Sequence, residues 1–425
     1  MQTQNIVVAL LIGSLSTFTW GAKSTGTVRP LGDSALTQFV RLVLDTNPRI
    51  QAVRSALNSS QALRSAAAQP LYNPTFEFEA ENADANTRTL GVSQTVDWNG
   101  KRSARTAIAS ADYQAAEAEY LLARRTATIE LLSGLAAYQT DLERGTLATE
   151  RTRIMQDFAS LAKQRFDAKD ISQIEFNLAN LTFADARMER ATIAASLSEA
   201  RQQVNNLTSS DVTTQWPTLD AKLPALPIQK NPHHLLMGLP EVQLAQHQVD
   251  SANRIVALRK REKRLDPTIS LTGGKEGGER LISLNLSIPL PVRNPFNHEV
   301  EAAYEQYQQA QKIADDLLQR AYSRLVNASE RYEIAQSAWL DWQQFGQISL
   351  QQQCDQLRLL WRSGEISTTD FLVQIGQTID SQDRALELRK MLWCAWFEWL
   401  AASGQLERWL GIKNSTHSIG DNSHR

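Results

Sequence analysis

Residues 73–102 read NPTFEFEAENADANTRTLGVSQTVDWNGKR. From Thr75 to Glu81, Phe76, Phe78 and Ala80 alternate with Thr75, Glu77, Glu79 and Glu81. From Leu90 to Trp98, Leu90, Val92, Val96 and Trp98 alternate with Gly91, Ser93, Thr95 and Asp97. A period of two sorts side chains onto the two faces of a strand, here one apolar and one polar. Each arm is about 9–11 residues, the length a tilted strand needs to cross a bilayer. Asn82 to Arg88 is the polar turn between them.

The figure returns at Pro267–Leu271 and Leu281–Leu290, where Ile282, Leu284, Leu286, Ile288 and Leu290 alternate with Ser283, Asn285 and Ser287. The expected turn is Gly273-Gly274-Lys275-Glu276-Gly277-Gly278. Either hairpin alone reads better as a half-buried hairpin of a soluble protein. Two of them, each flanked by very long helices, favour a membrane wall.

Around the hairpins the chain is predicted to be helical. Asp33 is the expected cap of a short helix, and Pro48 opens another that ends before Pro70. From Lys101 to Arg165 there is no proline, and the Ala-rich run has strong helix propensity. Unbroken, it would extend roughly 98 Å, and small residues on its apolar stripe point to coiled-coil packing. After a turn at Asp167–Ser172 a second helix runs to Leu207. It is too short to cover the first, so the helix from Pro48 is expected to stack on its end. Pro217, Pro224, Pro227 and Pro232 make residues 209–238 a linker.

The plan then repeats. Leu239-Pro240-Glu241-Val242 matches Asn47-Pro48-Arg49-Ile50, an offset of 192 (240−48). Asp266-Pro267-Thr268 matches Asn73-Pro74-Thr75, an offset of 193 (267−74). Phe166, Ile171, Ser172, Glu175 and Phe176 match Trp361, Ile366, Ser367, Asp370 and Phe371, an offset of 195 (366−171). Landmarks in one order with so little drift indicate a duplication: residues 23–208, with hairpin 73–99 and helical tip 166–172, and residues 239–411, with hairpin 267–291 and tip 361–367. The second long helix is expected from Phe296 to Leu360, and residues 412–425 form a polar tail.

Composition narrows the class. A net charge of −2 and a pI of 6.4 give no electrostatic case for nucleic acid. Residues 1–22 read as a secretory signal, with an apolar core from Ile6 to Leu15 too short to span a bilayer. Beyond it no run of about 18 apolar residues occurs, so a membrane crossing would have to be made of strands. Cys354 and Cys394 would lie about 27 Å apart along antiparallel helices, too far to bridge.

Four strands cannot close a barrel, and open edges are not tolerated in lipid. Three chains would supply twelve strands, within the range of known barrels. In that arrangement Phe76, Phe78, Leu90, Val92, Val96, Leu284, Leu286 and Ile288 would meet lipid. Glu77, Glu79 and Glu81 would face the lumen and favour cations. The fold class is thus mainly α with a small β part: a long helical coiled-coil barrel joined to a share of a trimeric transmembrane β-barrel.

With its twin hairpins, the Asp97-Trp98-Asn99-Gly100-Lys101-Arg102 exit, and the turns Arg165–Ser172 and Arg362–Ser367, the chain resembles the TolC family of outer-membrane efflux proteins. The likeness covers nearly all of the chain after residue 22, and the exit and short linker look most like the heavy-metal (cobalt–zinc–cadmium) branch. It implies a homotrimer in the outer membrane with its helices in the periplasm. Its tips would dock on a membrane-fusion adaptor bound to an inner-membrane pump of the RND type. It further implies an acidic periplasmic gate at Asp370, with Glu175 its counterpart, although Val373 stands where a second acid is usual; capping of the following helix is the competing role for Asp370. Lys169, Asp170, Ile171, Ser172, Gly364, Glu365, Ile366 and Ser367 would be the adaptor-contacting tips. Multidrug or polypeptide export by the same architecture, and a periplasmic coiled-coil scaffold, are the alternatives.

Candidates for chemistry fail on spacing. Gly100-Lys101-Arg102-Ser103 lacks the upstream glycine of a phosphate loop, and His298-Glu299 lacks the second histidine of a zinc-protease helix. His233-His234 has no further ligand nearby. No enzyme, cofactor or resident metal is expected. Trp339, Trp342, Phe345, Trp393, Trp396, Phe397 and Trp399 are predicted to form an aromatic belt, with Trp339 and Trp393 at nearly one height.

Overall fold

The structure is a computed structural model that describes residues 34–82, 86–208, 216–219, 223–226, 232–290, 292–346 and 353–412, apart from 354, 355, 358, 362 and 364. The signal segment, Asp33, Cys354, Gly364 and the tail from 413 lie outside the described residues, as do the side chains of His233 and His234.

Helix α1 (Ala35–Thr46) is capped by the Ser34 hydroxyl. Asn47 then caps α2 (Pro48–Ala67) and donates from Nδ2 to the Leu207 carbonyl at 2.9 Å. Leu207 ends α4 (Gln173–Leu207), so one asparagine joins α4 and α2 end to end beside α3 (Lys101–Asp167). The expected stacking is present. Buried Ala104, Ala111, Ala118, Arg125 and Leu132 recur every seven residues on α3, and Ala179, Ala186, Ile193 and Ala200 do so on α4. A seven-residue seam dominated by alanine is coiled-coil packing at close approach.

The short helix α5 (Pro232–Met237) interrupts the linker, a helix that the prolines hid. Next come α6 (Pro240–Glu262), α7 (Asn297–Asp341), α8 (Thr368–Ala402) and α9 (Leu406–Trp409). The expected unbroken helix from Phe296 to Leu360 is corrected: α7 gives way to a π-helical stretch at Trp342–Gly346. Helix α6 packs on α3 and α7, and α8 packs on α7 and α3.

Strands β1 (Thr75–Asn82), β2 (Asn86–Thr95), β3 (Thr268–Glu276) and β4 (Glu279–Ser287) form one antiparallel sheet in chain order. Two expectations are corrected here. Gly273 and Gly274 belong to β3 rather than to the turn, which is only Gly277-Gly278, both at positive φ. That is the geometry of a two-residue hairpin. Val96 and Ile288 fall just past the ends of β2 and β4. The Val96 N–H still bonds the Pro267 carbonyl at 2.9 Å.

The main core lies at mid-length. Tyr332, Trp396, Trp399, Phe397 and Trp409 are buried there together, with Trp393 at the margin and Trp339 packed against the same cluster. Trp339 and Trp393 thus belong to one cluster; Phe345 is exposed. Tyr332 and Trp409, not foreseen as members, fill the centre of that cluster. A second cluster around Phe158, Phe371 and Ile375 stabilises the helical tip.

Candidate transport wall, junction and tips

The sheet is built in rows. Phe76, Val92, Leu271 and Leu284 are cross-strand partners, and so are Phe78, Leu90, Gly273 and Ile282. Both rows lie on one face, joined by Ile269 and Leu286. This face is bare: Ile282 is 82% exposed, Leu284 76%, Phe76 69% and Phe78 65%. A contiguous apolar sheet face of this kind marks a surface that meets lipid or another protein. The opposite face carries Glu77, Glu79 and Glu81 with Thr89, Gly91, Ser93 and Thr272. Ser93 donates to Glu77 at 2.6 Å, and Thr89 reaches Glu79 at 3.5 Å. The predicted sorting therefore holds for every residue within the strands. Small residues, Gly91 and Gly274 among them, lie in the central strands. A Cβ on Gly274 would sit 2.0 Å from the Arg88 carbonyl oxygen, so only glycine fits there.

Where sheet meets helices, the Asp97–Arg102 motif and Asp266 form one knot. Asp97 accepts from the N–H groups of Lys101 and Arg102, both at 2.8 Å, and so caps α3. Burial alone would raise its carboxyl, but the N–H groups of residues 99–102 outweigh it and hold the group below the usual carboxylate range. Buried Asp266 takes hydrogen bonds from Tyr72 at 2.9 Å and Asn99 at 3.2 Å, and pairs with Lys101 at 3.0 Å. Arg261 donates to the Gly100 carbonyl at 2.6 Å. Residues from both halves of the chain thus fix the angle at which α3 leaves the sheet. Sequence reading saw the motif but not its partner Asp266.

At the tips, Lys169 adopts φ 62° between α3 and α4, and Lys169, Asp170 and Ser172 are exposed. Ile171 and Ile366 instead turn inward onto the tip cluster; Glu365 and Ser367 are exposed. The landmark aromatics form matching clamps, Phe166 stacking on Phe176 at 5.0 Å and Trp361 on Phe371 at 4.6 Å. Glu175 closes a capping box with Ser172, whose backbone N–H and hydroxyl hold its carboxyl below the usual range. On α8 only part of this is repeated: Asp370 accepts from the Ser367 hydroxyl at 2.7 Å, while its N–H donates to that oxygen at 3.1 Å. The caps themselves are Ser172 and Ser367; Glu175 completes a capping box, and Asp370 holds the hydroxyl of its cap.

Above the tips a ladder of charges joins α3 to α8. Arg144 holds Asp383 through two bonds, at 2.7 and 3.0 Å, and Glu387 at 2.5 Å. One heptad on, Arg151 pairs with Asp380 at 2.9 Å and with Glu189 of α4 at 2.7 Å. Among the described residues no three His, Cys, Asp or Glu side chains are grouped to hold a metal ion, and no helix is long and apolar enough to cross a membrane.

Residues 39–210 match the outer membrane efflux protein family. The cobalt-zinc-cadmium resistance protein CzcC of Cupriavidus metallidurans is 25% identical over 317 residues, which is 72% of this chain and 75% of that protein. The CmeC outer membrane channel of Campylobacter jejuni superposes with a TM-score of 0.78 at 14% identity, covering 95% of this chain and 94% of that one. CusC, whose crystal structures describe transmembrane channel formation, gives 0.70 at 14% identity over 89% of this chain and 93% of its own.

Proposed function

We propose that this chain, whose residues 39–210 belong to the outer membrane efflux protein family and which carries the fold of outer membrane channels, is one protomer of a trimeric exit duct for heavy-metal cations. The observation that carries the reading is the two-faced sheet: four strands, apolar on one side and polar on the other, with both edges unpaired among the described residues. Unpaired strand edges cost several kcal/mol per group in hydrocarbon. Pairing β1 of one protomer with β4 of the next removes that cost and closes a twelve-stranded ring. The helices then continue as a tube into the periplasm, where the tips at 166–172 and 361–367 meet an adaptor that links the duct to an inner-membrane pump. The duct has no catalytic step, and its driving force comes from the pump.

Heavy-metal cargo rests on the likeness to CzcC and on the carboxylates of the polar face, which favour cations. A deletion strain should grow worse on zinc, cobalt or cadmium, and the intact gene should restore growth. Normal growth on metals combined with sensitivity to dyes, or with loss of a secreted polypeptide, would overturn the metal assignment and leave the duct standing.

A further inference from the structure

One row of the sheet differs from the rest. Ala80, Arg88, Lys275 and Arg280 are successive cross-strand partners, one step beyond the apolar rows on the same face and next to the hairpin ends. The neighbouring row on the opposite face is Glu81, Thr87, Glu276 and Glu279. At the rim the sheet therefore carries three cations on its apolar side and three carboxylates on its polar side. Like charges directly opposite one another on adjacent strands are destabilising. Among the described residues none of the three cations is in an ion pair, and all three are exposed. With Asn86, Gly274 and Gly278 they line one open depression.

We propose that Arg88, Lys275 and Arg280 bind the phosphate groups of an anionic lipid in the outer leaflet, on the outside of the barrel. The proposal rests on the membrane reading above, which puts the hairpin ends at the outer surface. Cross-strand neighbours have Cα atoms about 4.5–5.5 Å apart, so adjacent heads can share one phosphate or hold two on one headgroup. Arginine forks suit phosphate oxygens, and the long aliphatic stems lie along the apolar face while the heads reach the interface. A bound phosphate would turn the repulsion within the row into attraction, while the inward carboxylates repel the same anion from the lumen.

The test uses the full-length protein in neutral detergent. Bis-phosphorylated lipid A, its dephosphorylated form and inorganic phosphate are each added, and retained lipid is counted by native mass spectrometry. The wild type should keep lipid A and not the dephosphorylated form. At about 1 kcal/mol per interfacial cation, the combined Arg88→Gln, Lys275→Gln and Arg280→Gln variant should retain about 100-fold less. Arg88→Lys with Arg280→Lys should keep most of the binding. Equal retention by the neutral variant, equal retention of dephosphorylated lipid, or displacement of lipid A by millimolar phosphate would each overturn the lipid site. If the triple variant fails to assemble, the three single variants decide: a graded loss supports the row and no loss refutes it. A protein that needs no detergent would contradict the duct itself, whereas a detergent-dependent trimer indifferent to lipid A would contradict this inference alone.

Discussion

Asp97 and Phe296 each stand at the start of a long helix, and each makes a prediction. Asp97 spends both carboxylate oxygens on the first N–H groups of α3, so Asp97→Asn should cost about 1 kcal/mol. Because folding depresses its pKa, the contribution is present above about pH 4, the ordinary carboxylate value, and is lost as pH falls through the folded value. The gap in thermal midpoint between wild type and Asp97→Asn should therefore be open at pH 7 and narrow on acidification; a gap that widened in acid would refute the role. Phe296 precedes α7 at φ 55°, a conformation that costs a non-glycine residue about 1–2 kcal/mol. Phe296→Gly should raise the melting midpoint. The role of Asp97 was half legible: the motif marked an exit from the sheet, but Asp266, its anchor, lies 169 residues away (266−97). The acids at 175 and 370 show the opposite case. Their spacing from Ser172 and Ser367 is that of a capping box, which Glu175 completes; at Asp370 the serine caps and the carboxylate bonds only its hydroxyl.

At the scale of elements, the alternation and the heptads were the readable signals, because each face of a strand or helix meets one kind of surroundings. Phe76, Phe78, Leu90, Val92, Leu284 and Leu286 sit together on the apolar face, and α3 spans Lys101–Asp167 against an expected Lys101–Arg165. What was lost lay where local propensity is weak evidence. The π-helical stretch at Trp342–Gly346 carries a single glycine as its mark, and Gly273-Gly274 resembles a turn although both residues pair within β3. The alanine seam predicts that Ala186→Leu overpacks α4 against α3 and costs about 1–3 kcal/mol. Trp396→Ala in the mid-length core should cost about 3–5 kcal/mol. Chemical denaturation followed by tryptophan fluorescence would check the first, and circular dichroism the second. Removing Arg144 takes one cation from two carboxylates of α8, Asp383 and Glu387; Arg144→Ala should cost about 1–3 kcal/mol, and proteolysis near the tip should quicken.

For the whole molecule, the physics of edges decides. A soluble sheet protects its outer strands or keeps them short, whereas here β1 and β4 flank a face that is apolar and bare. In the proposed duct, helices whose small-residue seams are buried within the chain form the tube, and the sheet closes with its neighbours. The most direct measurement is the mass of the particle purified in detergent, read together with single-channel conductance after insertion into a planar bilayer. The account predicts three protomers per particle and discrete conducting steps that favour cations. A particle of one protomer, stable without detergent and silent in the bilayer, would contradict it.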